Sequence, residues 1–161
     1  MSGNSASRVL VLGIGNTLLS DEGVGVQAMR ALERQMSARE DVEFIDGGTL
    51  SFTLAGSIAD HDKLIVIDAA ELGVAPGGVA VFANEAMDGF LGTNRKRSVH
   101  EVSLLDLMAI TLLEGHLPQQ RALIAIQPEQ VDWGDDLSPP VAACLDEVCN
   151  RAEALIASWQ T

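Results

Sequence analysis

The chain has 161 residues, 47% of them apolar, which predicts one globular domain spanning residues 1–161 with its own buried core. Its formal net charge of -13 would repel a phosphate backbone, so nucleic acids and anionic membranes are excluded as partners. The N-terminal stretch is polar and no apolar run approaches the roughly 20 residues of a membrane-spanning helix, which predicts a cytoplasmic protein.

Segments rich in Val, Ile and Leu recur along the chain with the length of strands, and helical patterns separate most of them. The predicted strands are Val9 to Ile14, Val42 to Asp46, Leu64 to Asp68, Val79 to Phe82 and Leu123 to Ile126. The predicted helices are about Val24 to Met36, Phe52 to Ala59, Val102 to Leu113 and, after Ser138 as the N-cap, Pro139 to Trp159.

This succession of elements predicts the fold class. Strands that alternate with helices and consist of nearly continuous apolar runs are typical of a parallel sheet covered on both faces. We therefore predict an α/β fold, a three-layer α/β/α sandwich with a mostly parallel, twisted sheet of about five strands. The segment 73–82 contains Pro76-Gly77-Gly78 and is too short for a helix, so one strand is predicted to be antiparallel.

The loop after the first predicted strand combines glycines with two adjacent carboxylates. Gly13 and Gly15 allow a tight turn, and Asp21-Glu22 precedes a helix, where negative charge is favoured. A phosphate-binding loop is disfavoured, because Leu18 occupies the last glycine position of GxGxxG and because carboxylates repel phosphate. Two interpretations stay open: a helix cap formed by Asp21 or Glu22, or a ligand site.

Three further polar residues lie at strand ends or before a helix. Asp68 follows four apolar residues at the carboxyl end of a strand, where ligands collect in parallel sheets, and His100 precedes a helix whose dipole keeps an imidazole neutral. With an acid from the glycine loop they would form a carboxylate, carboxylate, imidazole set for a borderline divalent cation. The alternatives are a loop cap at Asp68 and a solvent-exposed His100. Asp46, before two glycines at the end of the second strand, is either catalytic or fixes its turn.

The cysteines and the two other histidines suggest no second site. Cys144 and Cys149 lie five residues apart in a predicted helix, about 8 Å between Cα atoms, which is too far for an easy disulfide. We expect both cysteines to be reduced. His61 lies in an Asp60-His61-Asp62 turn and His116 follows the helix stop Gly115, so both are interpreted as surface residues.

Together these motifs resemble the hydrogenase maturation endopeptidases over nearly the whole chain. Each motif is weakly specific by itself, whereas their order and spacing are specific. The matching stretches are Gly13-Ile14-Gly15-Asn16, Asp21-Glu22-Gly23-Val24-Gly25, Asp46-Gly47-Gly48-Thr49, Asp68-Ala69, Ser98-Val99-His100-Glu101, Gln127-Pro128, Trp133-Gly134 and Leu137-Ser138-Pro139.

The resemblance implies a nickel-dependent endopeptidase. It implies Glu22, Asp68 and His100 as the metal-binding residues, with Glu22, Asp68 and Asp46 as the carboxylates available for catalysis. The implied substrate is the precursor of a [NiFe] hydrogenase large subunit, which carries the nickel itself and loses a C-terminal extension. No organic cofactor is expected. Glu101 stands where the family often has glutamine, a difference that we expect to affect which hydrogenase is bound rather than cleavage.

Two other functions use the same residues and stay open at this point. A non-catalytic nickel-binding maturation chaperone would need only Glu22, Asp68 and His100, whereas a nucleotide-binding module would need the glycine loop 13–25. An observed cut in the precursor separates the enzyme from the chaperone. A thermal shift with common nucleotides tests the third function, because only a ligand that binds the folded state stabilises it.

Overall fold

The computed structural model describes residues 8–48, 52–94 and 104–160. The apolar segments form strands at β1 (Val9–Ile14), β2 (Val42–Gly48), β3 (Lys63–Ala69), β4 (Val79–Ala83) and β5 (Gln120–Ile126). They make one five-stranded sheet in the order β2-β1-β3-β5-β4, in which only β4 runs antiparallel to its neighbour. The mostly parallel sheet and the single antiparallel strand predicted from the sequence are confirmed.

Helices cover both faces of the sheet, as predicted. One face carries α1 (Val24–Gln35), α5 (Pro139–Ala143) and α6 (Leu145–Trp159). The other face carries α2 (Leu54–Ala59), α3 (Glu85–Asn94) and α4 (Leu104–Leu113). No helix among the residues described here is long and apolar enough to cross a membrane.

A hydrophobic core lies on each face of the sheet, and successive side chains of a strand point alternately into one core and the other. In β1, Val9 and Val11 pack with α1 and α6, whereas Leu10 and Leu12 pack with α2 and α4. All four side chains are fully buried. Because helices remove water from both faces, every position of a central strand is apolar, which is why these strands show continuous apolar runs instead of alternation.

Two helical features differ from the sequence prediction. α3 follows β4 directly, where the sequence predicts no helix, because Gly89 and Gly92 weaken its pattern. It is held by tertiary packing, including the ring of Phe90 stacked on Phe82 at a centroid distance of 4.2 Å. The single helix predicted after Ser138 is divided at Cys144, whose N–H bonds to the carbonyl of Val141, three residues back.

The interpretation of His61 as a surface residue is wrong. Its side chain is buried, with Nδ1 2.7 Å from the carbonyl oxygen of Ser57 and Nε2 2.9 Å from Oε1 of Glu43. One nitrogen is satisfied locally by Ser57 and the other by Glu43 in β2, and the contact to β2 is not revealed by the aspartates that flank the histidine. His116 is exposed and both cysteines are free, as predicted, and the structure adds that both cysteines are buried.

Candidate active site

The candidate site lies at the carboxyl ends of β1 and β3. The chain passes from β1 to β2 on one side and then to β3 on the other, so these adjacent strands mark the point where strand order reverses. In open α/β sheets, ligands bind in the crevice at such a point. The loop between β1 and α1 covers this end of the sheet and ends in a single 3-10 turn, Ser20–Gly23, which contains Glu22.

Two glycines allow this loop to pack directly on the strands. Gly15 has φ +135°, and a Cβ there would overlap the carbonyl oxygen of Glu22. A Cβ on Gly25 would overlap the carbonyl oxygens of Ile67 and Ile14. A side chain at Gly15 would push the 3-10 turn away from the end of β1, and one at Gly25 would push the start of α1 away from β1 and β3, so both glycines set the position of Glu22.

Asp68 and Glu22 are brought together at this end of the sheet. Asp68 follows the fully buried Leu64 to Ile67 of β3. The pKa of Asp68 is raised to about 8, mainly because burial disfavours the charged carboxylate and also because the charge of Glu22 is nearby, while the N–H of Ala69 acts in the opposite direction. A bound cation would offset the electrostatic repulsion between two neighbouring carboxylates. Their oxygens are also suitable ligands for a divalent metal.

The third predicted metal-binding residue, His100, lies outside the described residues, as does Glu101. Within residues 8–48, 52–94 and 104–160, no group of three His, Cys, Asp or Glu side chains is arranged to hold a metal ion. The two described members of the predicted set are therefore a pair. Strand alternation places Asp68 on the face of Leu64 and Val66, which is the face that α4 covers.

Asp46 is held in a different environment. Its carboxylate accepts hydrogen bonds from the side chain of Arg30 and from the N–H of Gly48, both at 2.9 Å. Gly48 has φ +47°, so Asp46 fixes a left-handed turn at the end of β2. Alternation places Asp46 on the α1 face of the sheet, opposite to Asp68. Its catalytic role stays a prediction, while its role in the turn is visible.

Asp21 connects the glycine loop to a second loop. Its side chain is fully buried, and Oδ2 accepts hydrogen bonds from the N–H groups of Glu129 and Gln130 and from the hydroxyl of Ser138. Oδ1 accepts the N–H of Ser138 at 2.7 Å. Burial opposes ionisation, but the bonds from Gln130, Ser138 and Glu129 outweigh it and lower the pKa of Asp21. Ser138 begins α5 as predicted, but its hydroxyl bonds to Asp21 instead of capping the helix.

The loop held by Asp21 spans residues 128–138, and we call it the Trp133 loop. The N–H of Gly134 donates to the carbonyl of Leu18, and the N–H of Ser20 donates to the carbonyl of Gly134. Leu18, Val131 and Trp133 are exposed on this double loop, Trp133 to 80%. The sequence motif Trp133-Gly134 marked the loop without indicating that the indole faces solvent.

Gln127 is a further residue whose role only the structure shows. Its side-chain oxygen accepts the N–H groups of Leu72 and Gly73, and its amide donates to Glu71. It is buried between the segments that follow β3 and β5. Gln127 thereby fixes the chain that leaves Asp68, which is a structural role for the Gln127-Pro128 motif.

The described residues contain no serine or cysteine paired with a histidine as a nucleophile. Cys144 is buried, and desolvation raises its pKa to about 11, so its reactive thiolate form is suppressed. The ring of His61 bonds to a backbone carbonyl and a carboxylate, not to a hydroxyl or thiol. The groups available for chemistry at the strand ends are the carboxylates.

The sequence and fold of the chain were compared with those of known proteins. The family model described as hydrogenase maturation protease matches residues 26–155. The chain belongs to the hydrogenase maturation protease family. This maturation protease is similar to the hydrogenase expression/formation protein HupD of Rhizobium leguminosarum bv. viciae, with 36% identity over 96% of this chain and 76% of that protein.

Two further relatives extend the comparison to solved structures. The hydrogenase 2 maturation protease of Escherichia coli K12 is 35% identical over 92% of this chain and 90% of its own. The structure of the hydrogenase maturating endopeptidase HybD from E. coli superposes with a TM-score of 0.85 and 31% identity, covering 94% and 93% of the two chains. This maturation protease is thus an endopeptidase with the fold of its family.

Proposed function

We propose that this protein removes the C-terminal extension of a [NiFe] hydrogenase large-subunit precursor after nickel has been inserted into the precursor. The observation that carries the proposal is the pairing of Glu22 and Asp68 at the strand ends of a hydrogenase maturation protease. His100 would complete the set. Two carboxylates and one imidazole without a thiolate hold nickel moderately, which suits recognition of a metal that the substrate already carries.

The hydrolysis needs a base for water and an acid for the leaving amine. The hydroxyl of water adds to the scissile carbonyl carbon, the C–N bond breaks, and the water proton ends on the new amine. A carboxylate beside the scissile bond takes that proton and returns it. Glu22 and Asp68 lie at the reversal point of the sheet, where ligands bind in open α/β sheets, and in this proposal the extended precursor tail binds there.

The proposal is tested with purified components. The protein is mixed with a matching large-subunit precursor, once nickel-loaded and once nickel-free, and the products are weighed by mass spectrometry. We expect only the nickel-loaded precursor to lose a single C-terminal peptide, because in this proposal Glu22, Asp68 and His100 would bind the nickel that the precursor carries. Equal cleavage of both precursors would contradict the proposed recognition of nickel. Binding of the precursor without any cleavage would favour the non-catalytic chaperone.

Substitution of Asp46 separates a proton-transfer role from a role in the turn. We expect Asp46→Asn to slow cleavage about 100-fold or more in the preformed complex if its carboxylate moves protons. Arg30→Gln is the matched variant, because it breaks the ion pair and leaves the carboxylate in place. Single-turnover rates decide between the roles: unchanged cleavage with weakened binding makes Asp46 a docking residue.

A further inference from the structure

An apolar surface adjoins the candidate active site. It consists of the exposed side chains of Leu18, Val131 and Trp133, with exposed fractions of 59%, 52% and 80%. We call it the Trp133 surface. Leu18 lies in the same loop as Glu22, so one loop carries both a part of the apolar surface and one of the paired carboxylates.

The backbone below the Trp133 surface is held firmly. Hydrogen bonds of 2.7 to 2.9 Å link Gly134 to Leu18 and Ser20, and the hydroxyl of Ser20 donates to the carbonyl of Asp132 at 2.8 Å. The buried carboxylate of Asp21 fixes both sides of the Trp133 loop. The indole is therefore presented on an ordered backbone, which lowers the entropy lost when a partner binds.

The charge around this surface indicates the chemistry of the partner. The Trp133 loop carries the exposed acids Glu129, Asp132, Asp135 and Asp136. In the described part of the chain, none of these four carboxylates forms an ion pair. Aromatic anchors surrounded by one sign of charge bind an apolar group flanked by the opposite charge, since the charges steer encounter and the aromatic ring supplies contact area.

We propose that the Trp133 surface docks a segment of the hydrogenase precursor in which an apolar side chain is flanked by lysine or arginine. The proposal rests on the function proposed above and names the chemistry by which that substrate is held. Because Leu18 and Glu22 lie in one loop, a segment docked on the Trp133 surface is held against the loop that carries Glu22. Docking is separate from cleavage, so loss of the indole weakens binding and leaves the chemical step intact.

The test compares Trp133→Ala with Leu113→Ala in binding and single-turnover assays on nickel-loaded precursor. Leu113 is the matched control, because it is 86% exposed but lies at the end of α4 that precedes β5, away from the carboxyl ends of the strands. We expect Trp133→Ala to raise the Kd about tenfold or more, with an unchanged rate of cleavage at saturation. Leu113→Ala should match the wild type.

Two further measurements do not depend on cleavage. In a Trp159→Phe background Trp133 is the single tryptophan, and its emission should shift to the blue when precursor covers it. The double variant Asp135→Asn, Asp136→Asn should flatten the dependence of the association rate on salt. Both results would place the basic, apolar segment on this surface.

The proposal is overturned if Trp133→Ala binds precursor like the wild type, or if Leu113→Ala weakens binding equally. Self-association of the wild type that Trp133→Ala abolishes, with precursor binding unchanged, would assign the surface to a second copy of this chain. Binding that depends on Trp133 without any cleavage by the wild type would support docking and remove the proposed protease step. Cleavage of the precursor with an unchanged KM in Trp133→Ala would support the protease step and overturn the docking proposal.

Discussion

Asp68→Asn is expected to abolish processing, with a loss of about a thousandfold or more in cleavage rate, because it removes one of the two carboxylates at the strand ends. Glu22→Gln and His100→Ala should have the same effect. Mass spectrometry of nickel-loaded precursor after incubation with each variant measures it. Asp62→Asn is the matched control, since Asp62 is exposed immediately before β3, at its opposite end.

The same substitution is expected to stabilise the metal-free protein. The pKa of Asp68 is raised to about 8 by burial, so the folded state prefers the protonated carboxyl. Stability from this group is present below pH 4 and is lost as pH rises toward 8. Asp68→Asn should remove this loss, roughly 1 to 3 kcal/mol at pH 8, less than the shift implies because the side chain is only partly buried.

Urea unfolding of the wild type and Asp68→Asn between pH 4 and pH 8 measures this difference. The two stability curves should separate as pH rises, with circular dichroism unchanged. A variant that loses both activity and stability would mean that Asp68 supports the fold, and processing at the wild-type rate would show that the proposed site is wrong.

Asp21→Asn is expected to lower the free energy of unfolding by about 2 to 4 kcal/mol. All groups around the Asp21 carboxylate donate hydrogen bonds, and an asparagine amide would point its own donors at one or more of them. Because the pKa of Asp21 is lowered in the fold, its contribution is present above the unfolded pKa and is lost as pH falls, the opposite of Asp68.

Chemical denaturation at pH 7 tests the role of Asp21, with Asp136→Asn as the control for loss of an exposed carboxylate from the same loop. Precursor binding should also weaken at temperatures where Asp21→Asn is folded, since the Trp133 loop loses the hydrogen bonds that the Asp21 carboxylate accepts from it. Equal stability of Asp21→Asn and wild type would mean that these buried hydrogen bonds make no net contribution to the free energy of unfolding. The glycine loop would then keep its conformation without them.

Much of the fold follows from local patterns. Continuous apolar runs such as Leu64 to Ile67 predict central strands, because only a sheet covered on both faces makes every position apolar. α3 was not predicted from the sequence, because its glycines and weak amphipathic pattern give no local signal. It depends instead on packing such as that of Phe90 on Phe82. His61 was predicted wrongly for a similar reason, since its burial depends on packing and its partner Glu43 lies in β2.

For the site, the sequence by itself determined which residue types stand at strand ends: Asp46 near the end of β2, Asp68 near the end of β3, and a glycine loop with acids after β1. The local pattern did not separate Asp21 from Glu22, because neighbouring acids in one loop look alike, and only the family resemblance pointed to Glu22. Only the tertiary structure turns Asp21 inward to the donors of the Trp133 loop and places Glu22 beside Asp68. Burial and charge proximity depend on long-range packing, and these decide which carboxylate supports the fold and which is available to a substrate.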